Sequence, residues 1–516
     1  MKLRTISFML IICLLFGGCA NDNTTENSEN TQIEHTVTHK AVIGGTITLA
    51  MHKPETLNPI KNRDNTVDRV LRLIYEPLFV VDENMQIVPN LAESYTISGN
   101  TVTLKLKSGV NWQDGNSVCA DDVIYTLSQL EKAELDTIYK SCVENLISYS
   151  KVDNLTVKIN YSKGLGSIGY SLCFPVIPKH YYSGNAADDM KPIGNGSYIF
   201  SDYTLVKEMN LTASEIGLMG RPYINNINVK IIPDTETEIQ ALEAGVVDAM
   251  VLDINKLGSL STELSNNSYE FPTNQFEFIG FNVKNDLFSN VNVRQGFAHL
   301  IPRESIINDI YINKMTESVT PINPANAFTS KVGEDSYEFD TNLANTLFSA
   351  GGKGFSSFTF NILVNSENSA RVESAKLISE AFNSVGMHTA VEAVNFAEYE
   401  ERLKSGNFTM YLGGVRLKEN MDIMAITGSN GNINYGKYAD VNMDKLIGDC
   451  TSAISEEGYK AALNELNKYI STQLPVIGIG FKSDILVTNS RIKGEKTPTI
   501  NNIYGDINNW YLVSTD

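Results

Sequence analysis

Six histidines and six cysteines in a chain of 516 residues leave little material for a metal centre or a disulfide framework. No CxxC pair occurs. His35 and His39 stand four apart, but Thr36 occupies the place where a zinc protease helix needs its glutamate. Basic residues are also scarce, 41 against 60 acids, for a net charge of −19. Such a surface repels phosphate backbones and excludes nucleic acid as the expected partner. With 36 glycines, 15 prolines and no sustained period, the chain is neither collagen-like nor a coiled coil. Past the N-terminus no apolar run reaches the roughly 18 residues of a membrane-spanning helix.

Catalytic signatures are equally thin. There is no GxSxG and no GxxxxGK[ST]. Ser148 and Lys151 have SxxK spacing without the companion SDN and KTG motifs. Gly164-Leu-Gly-Ser-Ile-Gly169 matches GxGxxG, yet Pro175 falls where the dinucleotide helix would run. No catalytic residue is assigned, no cofactor is expected, and the chain is read as a non-enzyme.

What is present begins with an export signal. Lys2 and Arg4 precede an uncharged run from Ile6 to Phe16. Residues 1–18 form the expected signal peptide, ending in Leu15-Phe16-Gly17-Gly18-Cys19, which resembles the lipobox of bacterial lipoproteins. Cys19 is the implied lipidation site. Residues 19–43 carry Asn, Thr, Glu and Ser without apolar period and read as a tether. Cys119, Cys142, Cys173 and Cys450 are expected to be buried, inert thiols.

Downstream, 42% of the residues are hydrophobic, enough for a large core over two to four structural units at about 100–200 residues each. Alternation predicts strands at 46–50, 101–107 and 156–161 and helices over 67–73 and 121–130. A further strand is expected at 228–232. Thr235 and Glu238, at capping-box spacing, start a helix that Gly245 ends. The C-terminal half carries the clearest topological signal. Strands at 358–364, 388–394 and 408–413 alternate with helices over 370–385 and 396–404, which predicts a parallel sheet. Ligands collect at the carboxyl ends of such strands, so the segment from Gly413 to Met424 is the first candidate binding loop.

An ordered set of motifs runs from about residue 44 to the C-terminus. It includes Leu57-Asn-Pro59, Ile74-Tyr-Glu-Pro-Leu78, Val88-Pro-Asn-Leu-Ala-Glu-Ser94, Leu104 to Val123 (LKLKSGVNWQDGNSVCADDV) and Pro192-Ile-Gly-Asn-Gly-Ser-Tyr198. Leu242-Glu-Ala-Gly-Val-Val-Asp248, Val293-Arg-Gln295, Arg303-Glu304 and Tyr438 to Leu446 continue it. The set resembles the extracellular solute-binding proteins of ABC importers, family 5, which serve oligopeptides, dipeptides and nickel. Trp112, Asp114 and Gly115 are expected to build a turn, and Arg294 and Arg303 to pair with carboxylates between helices.

The resemblance implies an α/β, two-lobed periplasmic-binding-protein-like fold with the ligand cleft between lobes. Lobe I would span 44–275 with an extra subdomain at about 65–175, lobe II 276–475, and 476–516 would return to lobe I. It implies capture of oligopeptides for a membrane permease and its ATPase subunits by a monomer at the outer face of the cytoplasmic membrane, attached through lipid alone. A nickel chelate or other non-peptide solute, or a peptide-signal role, is the alternative. Relatives place an acid for the peptide ammonium just after the third strand, which here implies Glu419 or Asp422, beside Gly414 and Val415. Arg416 can instead meet a carboxylate or phosphate bidentately. The opposing lobe would contribute Asp64, Asn65 and Tyr139.

Overall fold

The computed structural model describes residues 41–164, 168–184, 187–329, 337–417 and 423–513, so Cys19 lies outside the described residues. Strand β1 (Thr46–Met51) leads to helix α1 (Asn65–Leu71). A small antiparallel sheet follows, built from β2 (Ala92–Ser98), β3 (Thr101–Leu106), β4 (Leu146–Lys151) and β5 (Thr156–Tyr161) in the order β2-β3-β5-β4, with α2 (Ala120–Lys132) inserted before β4. Trp112 anchors this subdomain. Its backbone amide donates to Asn116 O at 2.7 Å, Gly115 takes φ +89° to close the turn, and the indole donates to Asp122 at 3.2 Å. The chain then adds β6 (Tyr198–Thr204), β7 (Glu208–Ala213) and β8 (Asn226–Ile231) beside β1, giving a four-stranded sheet ordered β1-β8-β7-β6.

Helix α3 (Thr235–Glu243) starts one residue earlier than the capping-box spacing predicts. Asp234 is the cap, accepting from Thr237 N at 2.8 Å. Strands β9 (Ala249–Asp253) and β10 (Ser268–Phe281), helix α4 (Val291–Ala298) and the short β11 (Met315–Glu317) follow. The run β12 (Thr359–Asn365), α5 (Ser369–Ser384), β13 (His388–Val394), α6 (Phe396–Ser405) and β14 (Met410–Arg416) is the expected alternating unit. Its strands pair in parallel, β12 centrally. Helices α7 (Val441–Ser452) and α8 (Glu456–Gln473) precede the long β15 (Val476–Thr488). The seven-stranded sheet, ordered β9-β15-β10-β14-β12-β13 with β11 against β15, is therefore mixed, because β9, β10, β11 and β15 pair antiparallel.

The shared strands join two cores. Ala249, Val251, Phe271 and Leu486 belong to one apolar core, while Met250, Leu252, Ile485 and Val487 belong to a second. Alternation along β9 and β15 thus turns successive side chains to opposite cores. The last segment is tied back to β1 by Asp248, which accepts from Arg491 Nε and Nη2 at 2.9 and 2.6 Å and from Thr48 N at 2.8 Å.

Among the described residues Arg294 and Arg303 pair with no carboxylate. Arg294 donates to the carbonyls of Gln473, Leu474, Phe288 and Ser289, and Arg303 to those of Gly478, Ala298 and Tyr337. Carbonyls at the end of α8 lack helical donors, and buried guanidinium groups supply them. Burial pushes Arg303 down to about 10. Cys173 and Cys450 are buried, but Cys119 and Cys142 are only half-buried. Among the described residues no helix is long and apolar enough to cross a membrane.

Candidate functional site

The carboxyl ends of β12, β13 and β14 lie at Asn365, at Val394 just before Asn395, and at Arg416. The first two are occupied by local structure. Asn365 accepts from Arg371 at 3.3 Å, and Asn395 caps α6 through Glu398 N at 3.0 Å. The third opens toward the strands shared by the lobes. There the β10–β15 ladder breaks between Pro272 and Gln275, leaving Thr273 and Asn274 outside the pairing. Thr273 Oγ1 donates to Lys482 O at 2.7 Å, and Leu417 N donates to Asn274 O at 2.9 Å. Asn323 donates to Asn274 Oδ1 at 3.0 Å, while Asn274 Nδ2 is fully buried without a partner.

This break forms a charged floor. Lys482 donates to Asp253 at 2.9 Å. Asp484 stands opposite Asp253 in register, and Gln275 Nε2 lies 3.4 Å from each of its oxygens. Burial pushes the Asp484 carboxyl above its ordinary range. Arg416 opposes that shift, Asp253 adds to it, and Lys482 and Arg69 also oppose it.

Gly414 faces Glu277 across the β10–β14 ladder. Arg371 lies against this glycine and donates to Glu277 through Nε and Nη2 at 2.7 and 3.0 Å. A Cβ at position 414 would stand 2.0 Å from Arg371 Nη2. Burial works against charge on Arg371, but the Glu277 carboxylate overrides it and raises the pKa. Val415 is half-buried beside the third apolar core. Arg416 is exposed and opposite Gln275, and its side chain makes no hydrogen bond or ion pair among the described residues. Glu419 and Asp422 lie outside the described residues.

In the N-terminal part of the chain, Asp64 caps α1. It accepts from Thr66 N at 2.7 Å, Val67 N at 3.2 Å and His52 at 2.7 Å. Burial raises its pKa, but these hydrogen bonds outweigh it and the net shift is downward. Asn65 opens the helix and is exposed. Tyr139 is buried. Its hydroxyl donates to Asp68 and accepts from Arg72, both at 2.7 Å, which locks α1 to the segment before β4. Arg69, next to this cluster, is half-buried, and its side chain makes no hydrogen bond or ion pair among the described residues. Its charge is felt at Glu238, which burial nonetheless pushes up to about 6, and at Asp484.

Sequence reading passed over Glu277, Arg371, Asp253, Lys482, Asp484 and Arg69. A usable signal existed for Lys482 and Asp484, which interrupt the otherwise apolar run VIGIGFKSDILVT, and for Glu277 inside FEFIGF. A charge inside a strand buried on both faces requires a partner or a task.

A family model for bacterial extracellular solute-binding proteins, family 5, middle, matches residues 86–430. The oligopeptide-binding protein AppA of Bacillus subtilis is 23% identical over 99% of this chain and 98% of its own length. Its crystal structure with a nonapeptide superposes with a TM-score of 0.64 over 92% of this chain and all of that one, at 23% identity. Heme-binding protein A of Haemophilus influenzae is 25% identical over 79% of this chain and 81% of its own. The ABC transporter substrate-binding protein CtaP of Listeria monocytogenes superposes with a TM-score of 0.78 at 20% identity, over 92% of this chain and all of that one.

Proposed function

Because this chain belongs to the bacterial extracellular solute-binding proteins of family 5, non-enzymatic components of ABC transporters, we propose that it captures oligopeptides and delivers them to a membrane permease. The observation that carries the peptide reading is the end-to-end match to a protein named as oligopeptide-binding. Physical chemistry agrees with it. Extended peptides are bound largely backbone to backbone, which suits a cleft bounded by strand ends. A peptide ammonium in a closed cleft needs a carboxylate, since an unpaired buried charge is very costly. Glu419 or Asp422 supplies it in this proposal, with Gly414 and Val415 alongside. Lobe I (44–275 and 476–516) closes on lobe II (276–475) about the shared strands. Cys19 carries lipid and holds a monomeric receptor at the outer face of the cytoplasmic membrane.

A non-peptide solute is the second reading, favoured by the comparable match to a heme-binding protein. Native mass spectrometry of the chain from Asn21 onward, purified without denaturant, separates the two. A ladder of adducts that sequence as peptides supports peptide capture. A single discrete adduct, or a bare mass that no peptide pool shifts, overturns it. Peptide binding without an uptake defect on deletion assigns a signalling role instead.

A further inference from the structure

After β11 the chain passes through residues 318–329 as a series of turns. The start of this segment is fixed to the third apolar core. Ile322 lies in that core, Thr320 Oγ1 donates to Asn467 Oδ1 on α8 at 2.5 Å, and Gly478 N on β15 donates to Val319 O at 2.8 Å. Two asparagines then shape the stretch Asn323-Pro-Ala-Asn326-Ala-Phe328. Each uses its side-chain oxygen locally, Asn323 accepting from Ala325 N at 3.0 Å and Asn326 from Phe328 N at 2.9 Å. Each thereby turns its NH2 group away from the segment, and both residues are buried.

The two NH2 groups reach different places. Asn323 Nδ2 donates to Thr273 O and Asn274 Oδ1, both at 3.0 Å, where the pairing of β10 breaks. Asn326 Nδ2 donates to the Tyr170 hydroxyl at 2.9 Å, which donates in turn to Met85 O at 3.0 Å. Tyr170 and Met85 are buried in the first apolar core. Phe328 packs against that core and against the third, where its ring meets Tyr459 of α8 edge-on at 5.6 Å. In the lobe division proposed above, this segment is part of lobe II, Met85 and Tyr170 are part of lobe I, and Thr273 and Asn274 stand just before the crossover. The segment therefore ties the crossover strand to the opposite lobe.

Two features mark this tie as reversible. It is made largely of amide and hydroxyl groups, which water satisfies when the contact parts, whereas an apolar seam would lose its burial outright. It is also imperfectly matched. Asn274 Nδ2, beside Asn323, is buried without a hydrogen-bond partner, and Met85 takes φ +55°, an uncommon backbone conformation for a residue with a side chain. A contact that leaves one amide unmatched and one residue strained holds its arrangement by a small margin. We infer that residues 323–328 form a strap that braces the arrangement of the lobes in this structure, and that lobe rotation requires Asn326 and Phe328 to leave Tyr170 and Met85. The inference rests on the lobe division of the proposed function and goes beyond it by naming the contact that sets how the population divides between arrangements.

The test measures a distance between the proposed lobes by pulsed electron paramagnetic resonance on the chain from Asn21 onward. Spin labels are carried on bioorthogonal side chains at Leu135 and Val441, 88% and 79% exposed, which spares the four thiols. The variants are Tyr170→Phe, Phe328→Ala and their double. Tyr161→Phe is the control, because the Tyr161 hydroxyl is buried without a hydrogen-bond partner. The strap predicts one distance in the ligand-free wild type, that of this structure. Tyr170→Phe should raise the population of a second distance about tenfold, the scale of the hydrogen bonds lost, and the double variant should raise it further. Tyr161→Phe should leave the distribution unchanged. If the double variant does not fold, Tyr170→Phe, which keeps the ring, decides alone. Variants that match the wild type, an equal change in Tyr161→Phe, or a wild-type distance other than that of this structure overturn the strap. A randomised hexapeptide pool added to the wild type tests the underlying reading separately. A change with peptide but none in the variants discards the strap and keeps lobe closure on peptides. A change in the variants but none with peptide upholds the strap and discards the peptide reading. No change in either discards both.

Discussion

Strands β10 and β15 pass through two regions of opposite chemistry within a few residues. At one end they enter a phenylalanine cluster in lobe II, where Phe281 and Phe288 stack at 4.8 Å and Phe297 meets Phe358, Phe348 and Phe382 at 4.9, 5.1 and 5.1 Å. Midway along they carry Asn274, Gln275, Lys482 and Asp484, where Asn274 Nδ2 is buried without a partner and the buried Asp484 has no ion pair among the described residues. The first region is satisfied without direction and contributes stability through apolar burial. The second leaves polar groups incompletely matched, a state that costs stability. The contrast teaches where to look for binding in a strand that is buried throughout.

The largest effect that sharpens this contrast is expected at Phe297→Ala. It should cost about 3–5 kcal/mol in urea unfolding, yet leave peptide affinity unchanged below the melting range. A loss of affinity with preserved folding would blur the two regions. Next comes Glu277→Ala, which strands Arg371 beneath β14 and should cost about 3 kcal/mol. Replacing Glu277 and Arg371 together by methionine should recover most of that loss in a double-mutant cycle. Gly414→Ala drives a methyl into the same ion pair and should cost about 1–3 kcal/mol with a measurable drop in ligand affinity.

The smallest effect on stability is expected at Asp484→Asn, and its sign is diagnostic. The folded-state carboxyl has a raised pKa, so its favourable contribution is complete below the ordinary value of 3.8 and is lost as pH rises through the folded-state value. The asparagine variant avoids that loss. It should match the wild type in urea unfolding near pH 3.5 and exceed it at pH 7. A variant less stable than wild type at pH 7 would mean that Asp484 is already paired, and the distinction between satisfied and unsatisfied regions would fail at this residue.

Much of the fold was legible along the chain. Strands 156–161 and 388–394 fall where alternation places them, and the helix expected at 370–385 is found at Ser369–Ser384. These elements are half-exposed or bounded by clear caps, so local pattern decides them. The helix expected from the Thr235/Glu238 spacing is capped instead by Asp234, because cap geometry is set by the backbone turn before the helix. Arg294 and Arg303 were assigned carboxylates because sequence displays charged side chains and hides carbonyls, which are their actual partners.

The candidate site divides in the same way. The segment after β14 was identified from strand order alone, since a parallel run directs its carboxyl ends to one place. Arg416 and Gly414 lie on that strand end. Asp64 and Tyr139 are tied to the cap and flank of α1, roles set by neighbours 12 and 71 residues away in the chain. The floor could not be composed from local pattern, because Asp253, Gln275, Lys482 and Asp484 meet only when three distant segments pair in register. Sequence by itself determined the family, the alternating unit and the strand end proposed to face a ligand, because each is written in local periodicity or contiguous motif. Tertiary structure alone decided which charges are paired, which are left over and which lobe presents them, because the electrostatics of a buried group depend on distances between residues that the chain order keeps apart.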